Sequence, residues 1–417
     1  MARVSQLAGD QAQALERRIA AGGAREALDV VRELARHTPL LTSGTLTQRC
    51  GGRIVLKAEN LQRTGSFKLR GALAKLATLE GSSGVVAGSA GNHAQSLAYA
   101  AQARGVPCEV FMPREAPVAK VAAVGAYGGS VVLEADSVDH CLELAVERAA
   151  ATGATFVHPF DDPEVILGQA TLGVELLDDV DDLACVVVPI GGGGLASGVG
   201  AAIKLARPEV AVIGVQVEAS AAFPPSLAAG EPLSVEATST IADGIAVKRP
   251  GRTTLALVER FVDEICVVGE DEVAEAMVLL MERAKLVVEG AGAVGVAALL
   301  AGAVAPARSG TTVALLSGGN VDAGLLALVA QRHEAAVGRR LRIATAVSDR
   351  PGGLAALLTC VADTGANLIT VEHVRDAADL HVRQTAVELT LETRGSEHAE
   401  TILAALAERG YRVDRLG

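Results

Sequence analysis

A chain of 417 residues is too long for one hydrophobic core, and with 50% hydrophobic residues it holds enough apolar material for two or three. A net charge of −12 and an aromatic content of 2% exclude the basic footprint and the stacking surface of a nucleic-acid binder. Six cysteines, Cys50, Cys108, Cys141, Cys185, Cys266 and Cys360, lie apart with no C-x-x-C pair, which argues against a zinc site and a disulfide framework.

From the N-terminus, residues 1–37 mix Arg17, Arg18, Arg25 and Arg32 with Glu16, Glu26 and Glu33 and hold no continuous apolar run, so no export signal is expected. Residues 286–307 are apolar but broken by Glu289, glycines and Pro306, unlike a membrane span. A cytoplasmic protein with neither nucleic acid nor membrane as partner is expected. Short β-branched runs at residues 53–58, 84–87, 107–112, 130–133, 185–189, 210–217 and 311–316 alternate with Ala/Leu-rich helical stretches. Such alternation predicts an α/β fold of parallel strands covered by helices on both faces.

The composition shifts after about residue 334, and Gly338-Arg339-Arg340-Leu341-Arg342 opens a second domain, giving domains 1–337 and 338–417. The second reads as strand 341–347, turn 348–353, helix 354–363, strand 367–375, strand 380–393, helix 397–409 and strand 411–415, a βαββαβ order.

Four motifs carry chemistry. Asn60-Leu61-Gln62-Arg63-Thr64-Gly65-Ser66-Phe67-Lys68-Leu69-Arg70-Gly71-Ala72 sets Lys68 at the start of a helix, where an ordinary lysine is a solvated charge. Ser89-Ala90-Gly91-Asn92-His93-Ala94-Gln95 follows a strand and opens a helix at 94–103. Its hydroxyl, N–H groups and helix N-terminus suit a carboxylate, and N-capping by Ser89 and Asn92 is the plain alternative. The strand at 185–190 runs into Gly191-Gly192-Gly193-Gly194-Leu195 and a helix at 196–206, so backbone N–H groups converge on an anion such as phosphate. The same run matches a degenerate dinucleotide fingerprint with Glu218 as the ribose acid, a reading that leaves Lys68, Asn92 and Ser317 unexplained. Ser317-Gly318-Gly319-Asn320 ends the run at 311–316, where an open α/β sheet places ligand-binding groups.

Together the four motifs resemble fold-type II pyridoxal-phosphate enzymes, of tryptophan synthase β-like fold, and the wording from Thr38 onward is most similar to the threonine-deaminating lyases among them. The resemblance implies open parallel sheets in two subdomains, the smaller at residues 84–155, with a cleft between them. It gives Lys68 as the amine that binds pyridoxal 5'-phosphate through a Schiff base and later removes the substrate α-proton. Phe67 is expected against the ring, and Gly191, Gly192, Gly193, Gly194 and Leu195 around the phosphate. Asn92 is expected at the phenolic oxygen, Ser317 at the ring nitrogen and Glu289 near the ring. Ser89, Ala90, Gly91, Asn92 and His93 are expected to grip the carboxylate of an amino-acid substrate, with Gly244 lining its side.

A hydroxyl at Ser317 does not hold the ring nitrogen protonated as a carboxylate does, which favours β-elimination over transamination. L-Threonine is then deaminated to 2-oxobutanoate and ammonia, with L-serine as a second substrate. A serine racemase or dehydratase, and a non-catalytic amino-acid sensor, are the alternatives. Pro224 occupies the place where some relatives carry a cation-binding aspartate, so no metal site is expected. The stretches Asp349-Arg350-Pro351-Gly352-Gly353-Leu354 and Gly365-Ala366-Asn367 make the second domain similar to an ACT domain, of ferredoxin-like fold. That implies a branched-chain amino-acid effector at Gly352, Gly353 and Asn367 and a homodimer or homotetramer, against a module used for assembly alone.

Overall fold

The computed structural model describes residues 2–79, 83–374 and 383–416, with side chains from residue 9 onward. The chain divides into two compact units, at Asp322 and Ala323. The division falls ahead of the basic stretch at 338, because the helix Ala323–Ala336 clusters with the second unit.

The first unit contains two sheets. Six strands run in the order Leu40–Thr42, Ile54–Ala58, Thr311–Leu316, Leu183–Pro189, Ala211–Val217, Glu264–Val268. All neighbours are parallel except the first pair. The adjacent interior strands Ile54–Ala58 and Thr311–Leu316 are buried at every position, as a sheet covered on both faces requires. The smaller sheet has the order Ser130–Ala135, Cys108–Pro113, Val85–Gly88, Thr155–Phe156, all parallel. The seven expected strands are present, with ends that differ by at most two residues. Leu40–Thr42, Thr155–Phe156 and Glu264–Val268 join them as sheet edges too short or too exposed to show a periodic signal.

The helix Lys68–Ala77 connects the two layers. Leu69, Ala72, Leu73, Ala74 and Leu76 are buried on it, and its Gly71 meets the helix Pro163–Asp179 at close range. A Cβ on Gly71 would lie 2.2 Å from Gln169 Nε2, and one on Gly168 would lie 2.5 Å from Arg70 O. Only glycines allow the two backbones to approach so closely. Beside this crossing Arg70 is fully buried between two carboxylates. Its Nε and Nη2 donate to Glu59 at 2.8 and 2.8 Å, while Nη1 and Nη2 donate to Glu175 at 3.0 and 2.8 Å. Lys57, also fully buried, stands 3.0 Å from Glu175 and 3.1 Å from Asp179, and its ammonium donates to Thr38 O at 2.9 Å.

In the second unit, strands Arg340–Ser348, Asn367–Val374, Gln384–Glu392 and Val413–Leu416 and helices Gly353–Asp363 and Ser396–Glu408 realise the βαββαβ order. The sheet is antiparallel, with Asn367–Val374 at one edge, then Gln384–Glu392, Arg340–Ser348 and Val413–Leu416. Alternate residues Leu341, Ile343, Val347, Val387, Leu389 and Leu391 pack against Leu357, Val361, Ile402 and Leu406 of the two helices, so one face forms the core. Residues 375 and 380–382, expected as strand ends, lie outside the described residues.

Candidate active site

A cavity of about 920 Å³ opens between the two sheets of the first unit, and its walls include Phe67, Lys68, residues 89–93, residues 191–195, Gly244, Glu289 and Ser317. Four motifs far apart in sequence thus meet in one place. The backbone arranges this: Phe67 N–H donates to Ser317 O at 3.0 Å and Gly319 N–H to Gly65 O at 2.9 Å, with Ser66 paired against Gly318. The end of the strand Thr311–Leu316 is thereby tied to the residues that lead into Lys68.

Lys68 Nζ donates to Pro159 O at 2.7 Å and lies 5.4 Å from the Phe67 ring centroid. Burial pushes the amine down to about 8, against the opposing pull of the Glu289 carboxylate. An amine so placed loses its proton far more readily than a surface lysine, as a nucleophile and base must.

The glycine run is shaped by what surrounds it. A Cβ on Gly192 would lie 2.3 Å from the Phe160 ring, and one on Gly194 would lie 2.9 Å from Phe160 O. Gly193 has φ +96°, and a Cβ there would meet Phe223 at 2.6 Å. The helix Gly194–Ala206 follows, and Ser197 N–H is bonded to Gly193 O at 2.8 Å. The N–H groups of Gly194 and Leu195 precede that bond and have no carbonyl partner within the helix, which leaves them for an anion. This cradle, a desolvated lysine and a neutral hydroxyl on one cavity fit pyridoxal phosphate.

Asn92 is fixed from two sides. Its Nδ2 donates to Glu289 Oε1 at 2.7 Å, and its Oδ1 accepts from Asn320 Nδ2 at 2.7 Å. Asn320 Nδ2 also donates to Thr64 O at 2.8 Å. The second hydrogen on Asn92 Nδ2 stays free for a ligand oxygen. Burial and the nearby Asp243 push Glu289 up to about 7, while Asn92, Lys120 and the Asn320 N–H oppose the shift. Gly318 makes room for this carboxyl, since a Cβ there would lie 2.3 Å from Glu289 Oε1.

Several expected residues take different parts. His93 is buried, with Nε2 3.1 Å from Val157 O, and burial together with the Lys68 charge pushes it down to about 3. Its Nε2 is engaged with Val157 O although the residue lines the cavity. Ser89 Oγ accepts from Gly91 N–H at 3.3 Å and so shapes the turn. Ser317 Oγ reaches Ala291 O only at 3.5 Å, a bond weak enough to yield to a better partner.

Sequence reasoning missed His158, Phe160, Asp161, Lys120 and Asp243, all in the cavity wall. His158 Nδ1 accepts from Phe160 and Asp161 N–H at 3.3 and 2.9 Å, and the Asp161 carboxylate accepts from Arg252 and Thr254 N–H at 3.0 and 3.1 Å. Asp243 stands next to Gly244 in the stretch Thr240-Ile241-Ala242-Asp243-Gly244, where the resemblance gives only the glycine a role; the other four lie in no motif, and the segment that carries His158, Phe160 and Asp161 follows a strand of two residues.

In the second unit Gly352, with φ +93°, leads into the helix Gly353–Asp363 beside a small hollow lined by Ser348, Asp349, Arg350, Pro351 and His373. Asn367 is elsewhere. It pairs in register with Glu392, opposite Arg340 at the start of the first strand, whereas the glycine turn follows that strand's end at Ser348. Its side chain donates to Glu392 at 3.0 Å. Within one chain Asn367 therefore does not join Gly352 and Gly353 in a site.

Comparison with known proteins agrees with this geometry. The family model described as pyridoxal-phosphate dependent enzyme matches residues 31–318. The chain is 46% identical over 396 residues to L-threonine ammonia-lyase of Thermotoga maritima, spanning 94% of this chain and 98% of that one. It is 45% identical over 395 residues to the enzyme of the same name from Geobacter sulfurreducens, with 94% and 98% covered. The solved threonine deaminase of T.th. superposes with a TM-score of 0.68 at 43% identity, over 72% of this chain and 97% of that one. Maize serine racemase gives 0.70 at 34%, over 75% and 97%. Among the described residues no helix is long and apolar enough to cross a membrane. With the family match spanning the cavity wall from Phe67 to Ser317, the chain belongs to the pyridoxal-phosphate dependent enzymes.

Proposed function

We propose that this protein deaminates L-threonine to 2-oxobutanoate and ammonia, with L-serine as a second substrate, as an L-threonine ammonia-lyase. The observation that carries the reading is Lys68, an amine pushed down to about 8 on the same cavity as a glycine cradle and the Ser317 hydroxyl. Pyridoxal phosphate, when bound, supplies the electron sink that makes the substrate α-proton removable. The N–H groups of Gly194 and Leu195 hold an anion, and Asn92 presents a fixed N–H donor. The turn at residues 89–93 holds the substrate carboxylate with backbone N–H groups at the start of the helix Asn92–Arg104. Lys68 Nζ, freed of its proton, then takes the α-proton. Ser317 offers a neutral hydroxyl instead of a carboxylate, which favours loss of the β-hydroxyl over side reactions.

The C-terminal unit is read as an ACT module that senses a branched-chain amino acid at the turn of Gly352 and Gly353, in a homo-oligomer working in the cytoplasm. What supports this is the βαββαβ order and the hollow beside that turn. Borohydride reduction of the holoenzyme followed by peptide mapping should find the cofactor on Lys68, and threonine should yield 2-oxobutanoate. Label on another lysine, or no keto acid from threonine, refutes the reading.

A further inference from the structure

The cavity carries an ion pair that none of the roles above uses. Lys120, on the helix Val118–Ala126 of the small subdomain, donates to Asp243 Oδ2 at 2.9 Å. Asp243 begins the short turn Asp243–Ile245 on the opposite wall, and both residues line the cavity. The Lys120 side chain is 19% exposed and that of Asp243 57%, so the ammonium sits inside the mouth and the carboxylate at its rim. The helix is held to its own subdomain by buried Val124, while Val118 is 84% exposed. Val121, one residue after Lys120, packs partly against the same core, so the exposed face of the helix is the one that carries Val118.

The turn that Lys120 grips bears directly on the site. Asp243 precedes Gly244, where a Cβ would lie 2.9 Å from Ala291 Cβ and 3.4 Å from Glu289 Oε1. A shift of the turn therefore presses on, or releases, the carboxyl that holds Asn92. Charge acts in the same sense. Glu289 faces Asn92, the Asn320 N–H, Asp243, Lys120 and Lys68, and Lys120 faces Asp243, Asp322 and Glu289. The Lys120 cation is shared among three carboxylates, and without it Asp243 and Glu289 repel.

We propose that Lys120 is a positioning residue for the reaction: paired with Asp243 across the mouth, it holds the turn Asp243–Ile245 beside Glu289 and closes the small subdomain over the bound substrate. This rests on the reading of the protein as a threonine-eliminating enzyme. Substrate enters and product leaves when the pair is broken, so the pair acts on kcat/KM mainly through KM.

The test is a double-mutant cycle on the full-length holoenzyme, following 2-oxobutanoate release from L-threonine. K120M and D243N should each lower kcat/KM by about three- to ten-fold, the range of a partly buried ion pair, with cofactor content unchanged. The double variant should fall no further than the worse single, and the exchange K120D/D243K should recover activity above either. Wild-type kcat/KM should decline as NaCl rises from about 0.05 to about 0.5 M, whereas that of K120M should not, because screening weakens a pair only where one exists. Losses that multiply in the double variant, or wild-type KM in K120M, overturn the proposal while leaving the activity intact. A wild-type holoenzyme that releases no 2-oxobutanoate overturns the functional reading itself. If K120M does not fold, D243N and the exchange variant decide the question by the same comparison.

Discussion

Arg70→Met should destabilise the catalytic unit strongly and in a pH-dependent way. Arg70 makes four short bonds to Glu59 and Glu175, all inside the protein, and methionine replaces its volume but none of its charge. Breaking a buried pair by removing one partner costs about 3–5 kcal/mol, because the remaining charge is left uncompensated. A unit of about 320 residues unfolds with an entropy of about 0.7 kcal/mol/K, so the melting temperature should fall by about 4–7 °C. The sign of the pH dependence follows from Glu175. Burial works to raise its carboxyl, yet Arg70 and Lys57 hold it below the ordinary carboxylate range. A carboxyl depressed in the folded state contributes fully above its unfolded value of about 4.3 and loses that contribution as pH falls through the folded one. The wild-type advantage should therefore be largest at neutral pH and shrink on acidification. Thermal unfolding of the apo-protein followed by circular dichroism at several pH values measures both effects. A melting temperature within a degree of wild type, or a deficit that does not change with pH, would refute the reasoning.

Other outcomes follow from the same geometry. Glu289→Gln should remove an ionisation near pH 7 from the kcat/KM profile, since burial and Asp243 push this carboxyl up to about 7; an unchanged profile would show that it does not act on the reaction. Because its folded value is raised, the stability it contributes is fully present below the unfolded value of about 4.3 and is lost as pH rises through about 7, so the variant should also lose less stability between about pH 4 and about pH 7. Gly192→Ala should weaken cofactor binding at least about five-fold, as overpacking against the Phe160 ring costs about 1–3 kcal/mol; a fluorescence titration giving wild-type affinity would contradict the cradle. Calorimetric titration with isoleucine, valine and threonine should detect binding by the full-length protein and a shift in threonine saturation on adding isoleucine. Neither heat nor shift would make the C-terminal unit an assembly device.

What the sequence determines by itself is local. The β-branched runs at 185–189 and 311–316, the helical stretches between them and the glycine run 191–194 are each specified within about ten residues, by side-chain period and backbone freedom. So the parallel sheets, the βαββαβ unit and the motifs that bring Lys68, Asn92, the glycines and Ser317 to one cavity could be read before any coordinates. Tertiary structure decided the rest, because desolvation and charge pairing depend on groups distant in the chain. Lys68 is pushed down by surroundings that include Pro159, and Glu289 is pushed up beside Asp243. The motif around His93 is legible, but its ring turns to Val157, a partner that the two-residue strand before it does not advertise. Nothing in the motif marks Arg70 as buried, and it is Glu59 and Glu175, distant from one another in the chain, that enclose it. Asn367 lies close to Gly352 in sequence, yet strand direction carries it to the far end of the sheet. Lys120 and Asp243 belong to no common motif, and only the tertiary packing of the first unit brings their charges within bonding distance.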